Sequence, residues 1–423
     1  MTVVVVGSGQ AGARAVEALR QNGYRGRVVL VGEEPYLPYD RPPLSKDVLL
    51  KQGGQYSQEG DLVPVLDPDF YRARAIELRL GVRVVRIRRD DRAVDLADGS
   101  SLGYERLILA TGLRSRPLKG FELDDLLHHL RTLDDALRLR QALRPGLRLL
   151  VVGGGLLGLE IAATARRIGC EVTVVERHPS LLYQSVAAVV GDHVTRLHHR
   201  HGVHILTGVT PCGMRVQTTD PQSGARAIVT DLSNGETLVS DRVVAATGSL
   251  VNTELAEACG LDVQDGIIVD AYGRTSDPSI YAVGDVARHY NPVLGRTIRV
   301  ESWHNAQHQS AAVARVIAGA KTPYAEVPWF WSDQFDMNLQ TVGYCSDWDR
   351  VVVRGDPNGR RFSALYLQGN RLVAANLVNN GREMPQAQRL IASQAALDVA
   401  SLAQVERLDQ AVISASNPAD SSV

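Results

Sequence analysis

The chain has 423 residues, with 46 lysines and arginines against 47 aspartates and glutamates, and a formal net charge of −1. This balance argues against a protein that binds nucleic acid or a membrane surface through bulk charge. The length leaves room for two or three domains. Because no stretch approaches the roughly 18 apolar residues of a membrane span, we expect a cytoplasmic protein, and the excess of arginine over lysine favours a bacterial source.

Four cysteines are scattered through the sequence, at Cys170, Cys212, Cys259 and Cys345. They form no Cys-x-x-Cys pair and show no metal-ligand spacing. A flavoenzyme that reduces disulfides usually passes electrons through a cysteine pair beside the flavin. We therefore expect structural cysteines and no bound metal.

The first predicted elements are a strand and a helix joined by a glycine-rich turn. The apolar run at residues 3–6 has no basic segment before it, which predicts a buried strand and not a signal peptide. In the turn that follows, Gly7 permits the tight bend, Gly9 lets the backbone approach a pyrophosphate and Gly12 allows close packing of the helix predicted over 13–21. This pattern predicts a dinucleotide site.

A second copy of the same pattern, LLVVGGGLLG, spans residues 149–158 and precedes a helix predicted over 159–168. Its glycines Gly153, Gly155 and Gly158 correspond to the first three, and the helix start offers free amides to a phosphate. One such motif is a weak signal, since glycine turns between strands and helices are common. Two copies in the same context predict two dinucleotides that exchange electrons.

An acidic residue follows each predicted turn at the end of the next strand. Glu33 or Glu34 comes about 21 residues after Gly12, and Glu176 comes 18 residues after Gly158. A carboxylate there accepts hydrogen bonds from ribose hydroxyls and repels a 2′-phosphate, so the second site is expected to favour NADH. Arg177 leaves NADPH open as the alternative, because an arginine at this position can bind the phosphate.

Later elements repeat this order. A strand over 106–112 closes the first unit, a helix over 133–143 precedes the second turn, and a strand over 241–248 closes the second unit. A helix over 301–318 follows. Beyond Pro323 we predict an antiparallel sheet with strands over 340–344, 350–354, 363–368 and 371–377, and then a helix over 384–396.

Six segments in this order give the sequence a family resemblance: PYDRPPLSK at 38–46, LATG at 109–112, GGGLLGLE at 153–160, IYAVGDVA at 280–287, ESWHNA at 301–306 and PWFWSDQ at 328–334. The chain resembles, over nearly its whole length, the FAD-dependent ferredoxin reductases of bacterial oxygenase systems, of the putidaredoxin reductase and Rieske dioxygenase reductase type. The resemblance implies an α/β fold with two Rossmann-like dinucleotide-binding domains, as in glutathione reductase-like enzymes, and a C-terminal α+β domain. Its implied division is an FAD-binding domain of residues 1–113 and 242–322, an NAD-binding domain of 114–241 and a C-terminal domain of 323–423.

The resemblance also implies the site residues. Those expected to bind FAD or NADH are Gly7, Gly9, Ala11, Gly12, Glu33, Arg41, Lys46, Thr111, Gly112, Arg131, Gly153, Gly155, Gly158, Glu160, Glu176, Gly248, Asp285 and Trp303. Lys46 is expected beside the flavin and paired with Glu160, where its ammonium would stabilise reduced flavin and the carboxylate would orient the nicotinamide carboxamide. Trp331 is expected to shield the flavin and to meet the ferredoxin, although the alternating aromatic residues around it also fit plain strand packing.

The implied activity is hydride transfer from NADH to FAD, followed by transfer of single electrons to a [2Fe-2S] ferredoxin that feeds a cytochrome P450 or a Rieske oxygenase. The alternatives are a reductase for rubredoxin or a small-molecule quinone, and a redox switch of the apoptosis-inducing-factor type. An acidic ferredoxin would need a basic docking patch, for which the candidates are Arg72, Arg74, Arg296 and Arg299.

Some residues depart from the family pattern or stand outside it. Val251 occupies the position before Asn252 where relatives usually carry proline, which leaves the shape of that loop open. His304 stands at a variable position and is expected to be a polar wall residue. The histidines at 198–201 and at 128–129 lack a clean helical metal spacing, so we expect solvated faces there.

Overall fold

The computed structural model describes residues 1–51, 63–118, 120–121, 123–220, 222 and 224–413. The chain folds into two compact units. The first consists of Met1–Arg177 and His201–Glu326, and the second consists of His178–Arg200 and the chain from Val327 onward. The segment 178–200, which the sequence assigned to the NAD-binding domain, therefore folds with the C-terminal unit. No helix in the described part of the chain is long and apolar enough to cross a bilayer.

The helices of the first unit are α1 (Gln10–Gln21), α2 (Asp47–Leu50), α3 (Pro68–Ala73), α4 (Leu133–Ala142), α5 (Leu156–Ile168), α7 (Glu254–Ala258) and α8 (Trp303–Ile317). The second unit contains α6 (Ala188–Arg200) and α9 (Met384–Ser393).

The strands of the first unit are β1 (Thr2–Val6), β2 (Arg27–Gly32), β3 (Ile76–Leu80), β4 (Val84–Arg88), β5 (Ala93–Leu96), β6 (Ser101–Gly103), β7 (Arg106–Leu109), β8 (Leu113–Ser115), β9 (Leu127–His128), β10 (Arg148–Val152), β11 (Glu171–Glu176), β12 (His204–Thr207), β13 (Pro211–Asp220), β14 (Ala225–Leu232), β15 (Thr237–Ser240), β16 (Arg242–Ala245), β17 (Ser249–Val251), β18 (Ile267–Val269), β19 (Ile280–Ala282), β20 (Ala287–Asn291) and β21 (Arg296–Arg299). Those of the second unit are β22 (Trp329–Gln334), β23 (Met337–Gly343), β24 (Arg350–Gly355), β25 (Phe362–Gln368) and β26 (Arg371–Val378).

A parallel sheet of order β19-β7-β1-β2-β3 forms the centre of one half of the first unit, which we call the first half. Its central strand is fully apolar, and Val3, Val4 and Val5 are inaccessible to solvent, as expected for a parallel strand covered on both faces. Helices α1 and α8 pack together on one face, where Leu19 and Val313 are buried. The other face is covered in part by Val94 and Leu102 from the small antiparallel sheet β4-β5-β6.

A second parallel sheet, of order β12-β11-β10-β16-β9, repeats the arrangement and forms the centre of the second half of the first unit. Its apolar face meets the antiparallel sheet β13-β14-β15, with Leu150, Val243 and Ile228 in the shared core. Strand β16 lies beyond the predicted boundary at residue 241, yet it pairs with β10. The structure therefore places this strand in the second sheet and not with the first.

The two halves of the first unit are joined by two crossing segments. Strand β8 leaves the first half, strand β17 returns to it, and the two pair antiparallel, with Val251 opposite Leu113. The loop whose shape Val251 left open is thus a short strand. Two further small elements, the sheet β18-β20-β21 and the 3-10 turn Gly284–Val286, complete the first half.

The second unit is built on one antiparallel sheet of order β22-β23-β26-β25-β24, and α9 packs against β26 and β23. Leu365, Tyr366 and Val378 are fully buried in it. The predicted C-terminal α+β domain is confirmed, and the observed strands differ from the predicted ones by up to three residues at their ends.

Candidate functional site

The first glycine turn joins β1 to α1 and packs so closely against backbone that two of its glycines leave no room for a side chain. Gly7 has φ +113°, and a Cβ atom there would lie 2.2 Å from the carbonyl oxygen of Ala110. A Cβ on Gly12 would lie 1.9 Å from the carbonyl oxygen of Gly7. Only glycine fits either place, because no side chain can approach backbone this closely.

The second turn, between β10 and α5, reproduces this geometry. Gly153 has φ +116°, with a Cβ position 2.3 Å from the carbonyl oxygen of Ala246, and a Cβ on Gly158 would lie 2.1 Å from the carbonyl oxygen of Gly153. The sequence repeat is therefore a structural repeat, and each parallel sheet has its own glycine turn at the carboxyl edge of its central strand. We call these turns the first cradle (residues 7–12) and the second cradle (residues 153–158).

The middle glycine of each turn faces open space. A Cβ on Gly9 would meet only the Arg41 guanidinium, at 4.0 Å, and a Cβ on Gly155 would meet nothing within 4 Å. These residues are the N-caps of α1 and α5, and neither helix has a side-chain cap or an acidic residue in its first turn. Two helix starts with free amides and room for an approaching group fit two pyrophosphates.

The acidic residues that follow the turns differ in their surroundings. Glu33 is exposed just after β2, whereas Glu34 accepts hydrogen bonds from Tyr39 at 2.5 Å and from Arg41 at 2.8 Å. Of the two candidates, Glu33 has the carboxylate that faces solvent. Glu176, at the end of β11, is buried and accepts a 2.7 Å hydrogen bond from the amide of Gly154, so it belongs directly to the second cradle.

Arg41, Arg131 and Asp285 meet beside the first cradle although they are far apart in sequence. A guanidinium nitrogen of Arg131 lies 3.3 Å from the Asp285 carboxylate, and Arg41 donates to the Arg131 carbonyl. Burial raises the pKa of Asp285, and the neighbouring Arg131 opposes that shift. A site with two arginines suits a pyrophosphate, and the buried carboxyl suits a hydroxylated chain.

Close packing fixes Asp285 to this cradle. Gly284, in the left-handed region at φ +74°, brings its Cα so near to α1 that a Cβ would lie 2.9 Å from that of Ala11. Its amide donates to the buried Gln309 of α8 at 2.8 Å. Trp303, at the start of the same helix, donates from its indole Nε1 to Asp40 at 2.8 Å. The structure thus brings together the residues predicted at positions 11, 285 and 303.

Thr111, Gly112 and Gly248 lie where the chain crosses between the two halves. The Thr111 hydroxyl donates to the Asn252 carbonyl at 2.7 Å, and the Asn252 amide donates to the Thr111 carbonyl at 2.8 Å. Gly112 and Gly248 have φ of +61° and +95°. The predicted residues of this group therefore hold the crossing in place.

Lys46 and Glu160 form an ion pair between the two halves of the first unit. The Lys46 ammonium lies 2.8 Å from Oε2 of Glu160, and their side chains are only 20% and 9% exposed. Ser45 donates to the same oxygen at 2.5 Å, and Thr164, one turn further along α5, donates to the Ser45 carbonyl at 2.7 Å. The expected pair is present, and two residues absent from the predicted set hold it.

Trp331 lies in the second unit, on β22, where its half-buried ring stacks on that of Trp329 with centroids 5.3 Å apart. Its expected role at the flavin stays a prediction. Among the candidate docking arginines, Arg72 pairs with Asp69, Arg74 lies over the ring of Phe70, and Arg299 pairs with Glu301. The Arg299 side chain is only 14% exposed.

Two histidine expectations need correction. His198 is fully buried and contacts Gln334 at 2.9 Å, so it does not belong to a solvated face. His128 is half-buried, and burial, with Arg242 and Arg138 nearby, lowers its pKa to about 4. A missed residue, His308, lies beside His304; the four-residue spacing on a predicted helix was the available signal.

The site has two matched nucleotide cradles, with the ion pair of half-buried Lys46 and buried Glu160 between them, and the sequence has no Cys-x-x-Cys pair. These features define the class as an oxidoreductase that binds two dinucleotides. Comparison with known proteins gives the particular family. The profile of the pyridine nucleotide-disulphide oxidoreductases matches residues 1–310, and that of the reductase C-terminal domain matches residues 329–410.

Among curated relatives, the ferredoxin–NAD(+) reductase component of the anthranilate 1,2-dioxygenase system of Burkholderia cepacia is 44% identical over 95% of this chain and 96% of that protein. Putidaredoxin reductase of Pseudomonas putida is 40% identical over 92% and 91%. Among solved structures, the covalent putidaredoxin reductase–putidaredoxin complex matches with a TM-score of 0.89 at 37% identity, covering 95% of each chain. The ferredoxin reductase for the CYP199A2 system of Rhodopseudomonas palustris gives 0.90 at 36% identity, covering 97% of this chain and all of that one.

The chain belongs to the pyridine nucleotide-disulphide oxidoreductase family. It is an oxidoreductase of the ferredoxin–NAD(+) reductase type, with FAD and NAD(H) as its cofactors. The expected family, fold class, enzyme class and cofactors are confirmed.

Proposed function

We propose that this chain takes hydride from NADH into FAD and passes single electrons to a [2Fe-2S] ferredoxin, which feeds a cytochrome P450 or a Rieske oxygenase. The observation that carries the proposal is the Lys46–Glu160 pair, which joins the first half of the first unit to the helix of the second cradle. Relatives of this chain are reductase components of a dioxygenase system and a reductase for putidaredoxin. The predicted cytoplasmic location stays part of the proposal.

The two cradles divide the cofactors between them. The first, with Gly7, Gly9, Ala11 and Gly12, would hold FAD, with Arg41 and Arg131 beside its pyrophosphate, Asp285 toward its ribityl hydroxyls and Glu33 toward its ribose. Thr111, Gly112 and Trp303 complete this group. The proposed FAD-binding domain is then residues 1–113 and the part of 242–322 that follows β17, and the proposed NAD-binding domain includes β16.

The second cradle, with Gly153, Gly155 and Gly158, would hold NADH, and Gly248 lies on the crossing that returns from it. Glu176 supports a preference for NADH, because its buried carboxylate would meet the ribose hydroxyls and repel a 2′-phosphate. Arg177, next in the chain, is exposed.

When bound, the two cofactors supply the hydride and electron chemistry. The protein would position the two cofactors, shield them from solvent and balance their charge. Lys46 places a cation between the two halves, and Glu160, which accepts hydrogen bonds from Ser45 and Lys46, would orient the nicotinamide carboxamide. Trp331 is proposed as the aromatic residue that meets the ferredoxin.

The test uses the purified, FAD-loaded protein with NADH or NADPH, cytochrome c and candidate [2Fe-2S] ferredoxins. NADH-driven cytochrome reduction that requires the ferredoxin is expected. Rubredoxin and a quinone, offered as acceptors in parallel, test the small-acceptor alternatives. Slow turnover with every acceptor, together with a persistent long-wavelength absorption band after NADH addition, would favour the redox switch and overturn the proposal.

A further inference from the structure

Two histidines and a glutamate lie together on the first unit, at residues outside the proposed cofactor set. His304 and His308 are four positions apart on α8 and so share one face of the helix. Their ring centroids are 4.0 Å apart, and Nδ1 of His308 lies 3.8 Å from Oε1 of Glu326. One possible ligand atom from each of the three residues lies within 4.8 Å of the other two. This is the geometry from which three side chains can converge on one ion.

The chain segment that carries Glu326 is fixed at two points, one on β20 and one on α8. Buried Asn291, at the end of β20, donates from its side-chain amide to the Glu326 carbonyl at 2.8 Å. The Tyr324 hydroxyl donates to the side chain of Asn305 at 3.1 Å, one residue beyond His304 on the helix. One bond holds the Glu326 backbone and the other holds the chain two residues earlier, so the fold keeps Glu326 beside the histidine pair.

The donor set and its exposure suit a divalent transition metal ion. Neutral imidazole and ionised carboxylate are the forms that bind zinc. The His308 and Glu326 side chains are 39% and 47% exposed, so an ion can enter from solvent and keep water as a fourth ligand.

We propose that His304, His308 and Glu326 form a Zn²⁺-binding site with one solvent-filled coordination position. Zn²⁺ is preferred because two imidazoles and one carboxylate match its usual nitrogen and oxygen ligands in a tetrahedral site. The 3.8 Å separation of His308 and Glu326 exceeds a hydrogen bond but closes readily around an ion bound at about 2.0–2.2 Å from each ligand atom. The site requires neither FAD nor NADH, so it stands independently of the proposed function.

The test is titration of the FAD-loaded protein with Zn²⁺ alone, by isothermal titration calorimetry after treatment with EDTA and gel filtration. One Zn²⁺ per chain is expected in the tightest class of sites. His308→Ala and Glu326→Gln should each weaken that binding at least about tenfold. His199→Ala is the matched control, because this histidine is exposed on α6 and should leave the affinity unchanged.

Flavin absorption and circular dichroism would check that each variant folds. A second titration, with Co²⁺, would report coordination through a visible absorption band at wavelengths longer than the flavin absorbs. Failure of the wild-type protein to bind Zn²⁺ at micromolar concentration would overturn the proposal. Unchanged affinity in either His308→Ala or Glu326→Gln would overturn it as well, since both residues are assigned as ligands.

Discussion

The ammonium of Lys46 and the carboxylate of Glu160 lie 114 positions apart in the chain, and their side chains meet at 2.8 Å. Lys46 follows the 3-10 turn Pro42–Ser45, and Glu160 lies in the second turn of α5. The pair therefore fixes the helix of the second cradle to a loop of the first half. In the proposed function, this pair would supply charge at the place where the two bound cofactors meet.

Removal of the Glu160 charge should slow reduction of the flavin by NADH. In Glu160→Gln the pair with Lys46 is lost and the carboxamide loses its orienting group, so the rate should fall by about tenfold to 100-fold. Stopped-flow absorbance of the flavin measures it. Glu77→Gln removes a carboxylate from a more exposed ion pair with Arg27 and should leave the rate unchanged. A wild-type rate in Glu160→Gln would remove this residue from the site.

Ser45 should act as a positioning residue for Glu160. Ser45→Ala removes the 2.5 Å hydrogen bond but leaves Lys46 in place, so FAD content should be unchanged while KM for NADH rises several-fold more than kcat falls. Ser45→Thr keeps a hydroxyl and should restore much of the loss. If Ser45→Ala and Ser45→Thr were equally impaired, the effect would reside in packing and not in the hydrogen bond.

Glu176 should determine the choice between NADH and NADPH. Glu176→Gln keeps an oxygen that can accept from the Gly154 amide and removes only the charge. The ratio of kcat/KM for NADH to that for NADPH should fall about tenfold, because the 2′-phosphate is no longer repelled. Glu171→Gln, at the exposed start of the same strand, is the control. An unchanged ratio would assign cofactor choice to other residues.

Two glycines of the second cradle should differ in what their substitution affects: Gly158 the stability of the protein, and Gly155 the binding of NADH. Gly158→Ala places a methyl group 2.1 Å from a carbonyl oxygen and should destabilise the protein by about 1–3 kcal/mol. Gly155→Ala meets no atom within 4 Å, so the melting temperature should hold while KM for NADH rises about tenfold. Thermal denaturation and steady-state kinetics measure the two effects. Loss of stability in Gly155→Ala would contradict the open cradle.

His128 should make the protein less stable in acid. Because its folded pKa of about 4 is below the ordinary value of 6.5, the unfolded chain binds the proton first as the pH falls. This contribution to the free energy of unfolding is present above pH 6.5 and is lost as the pH falls from 6.5 to 4. At pH 5 the loss amounts to about 2 kcal/mol.

His128→Gln removes this contribution, so its melting temperature should fall less than that of the wild type between pH 7.5 and 5.0, by about 2–4 °C. His204→Gln, on the exposed strand at the opposite edge of the same sheet, should behave as the wild type does. Equal acid sensitivity in His128→Gln and the wild type would show that other groups cause the loss.

The sequence predicted the cradles well because their signals are local. Gly7, Gly12, Gly153 and Gly158 stand at places where a Cβ would strike backbone within one turn or an adjacent strand. Strand and helix boundaries were less accurate, as in β23, which begins at Met337 and not at 340. Its end residues are set by pairing with β22 and β26, and the strand's own sequence does not contain that information.

By itself, the sequence determined the two dinucleotide cradles, the acidic residues that follow them and the order of elements, since each depends on neighbours within about 20 positions. Only the tertiary structure decided that strand β16 belongs to the second sheet, that Ser45 holds Glu160 and that Glu326 joins the histidines of α8. The physical reason is that sheet order and crossing segments bring distant residues together, and no local periodicity records which distant residue will be the partner.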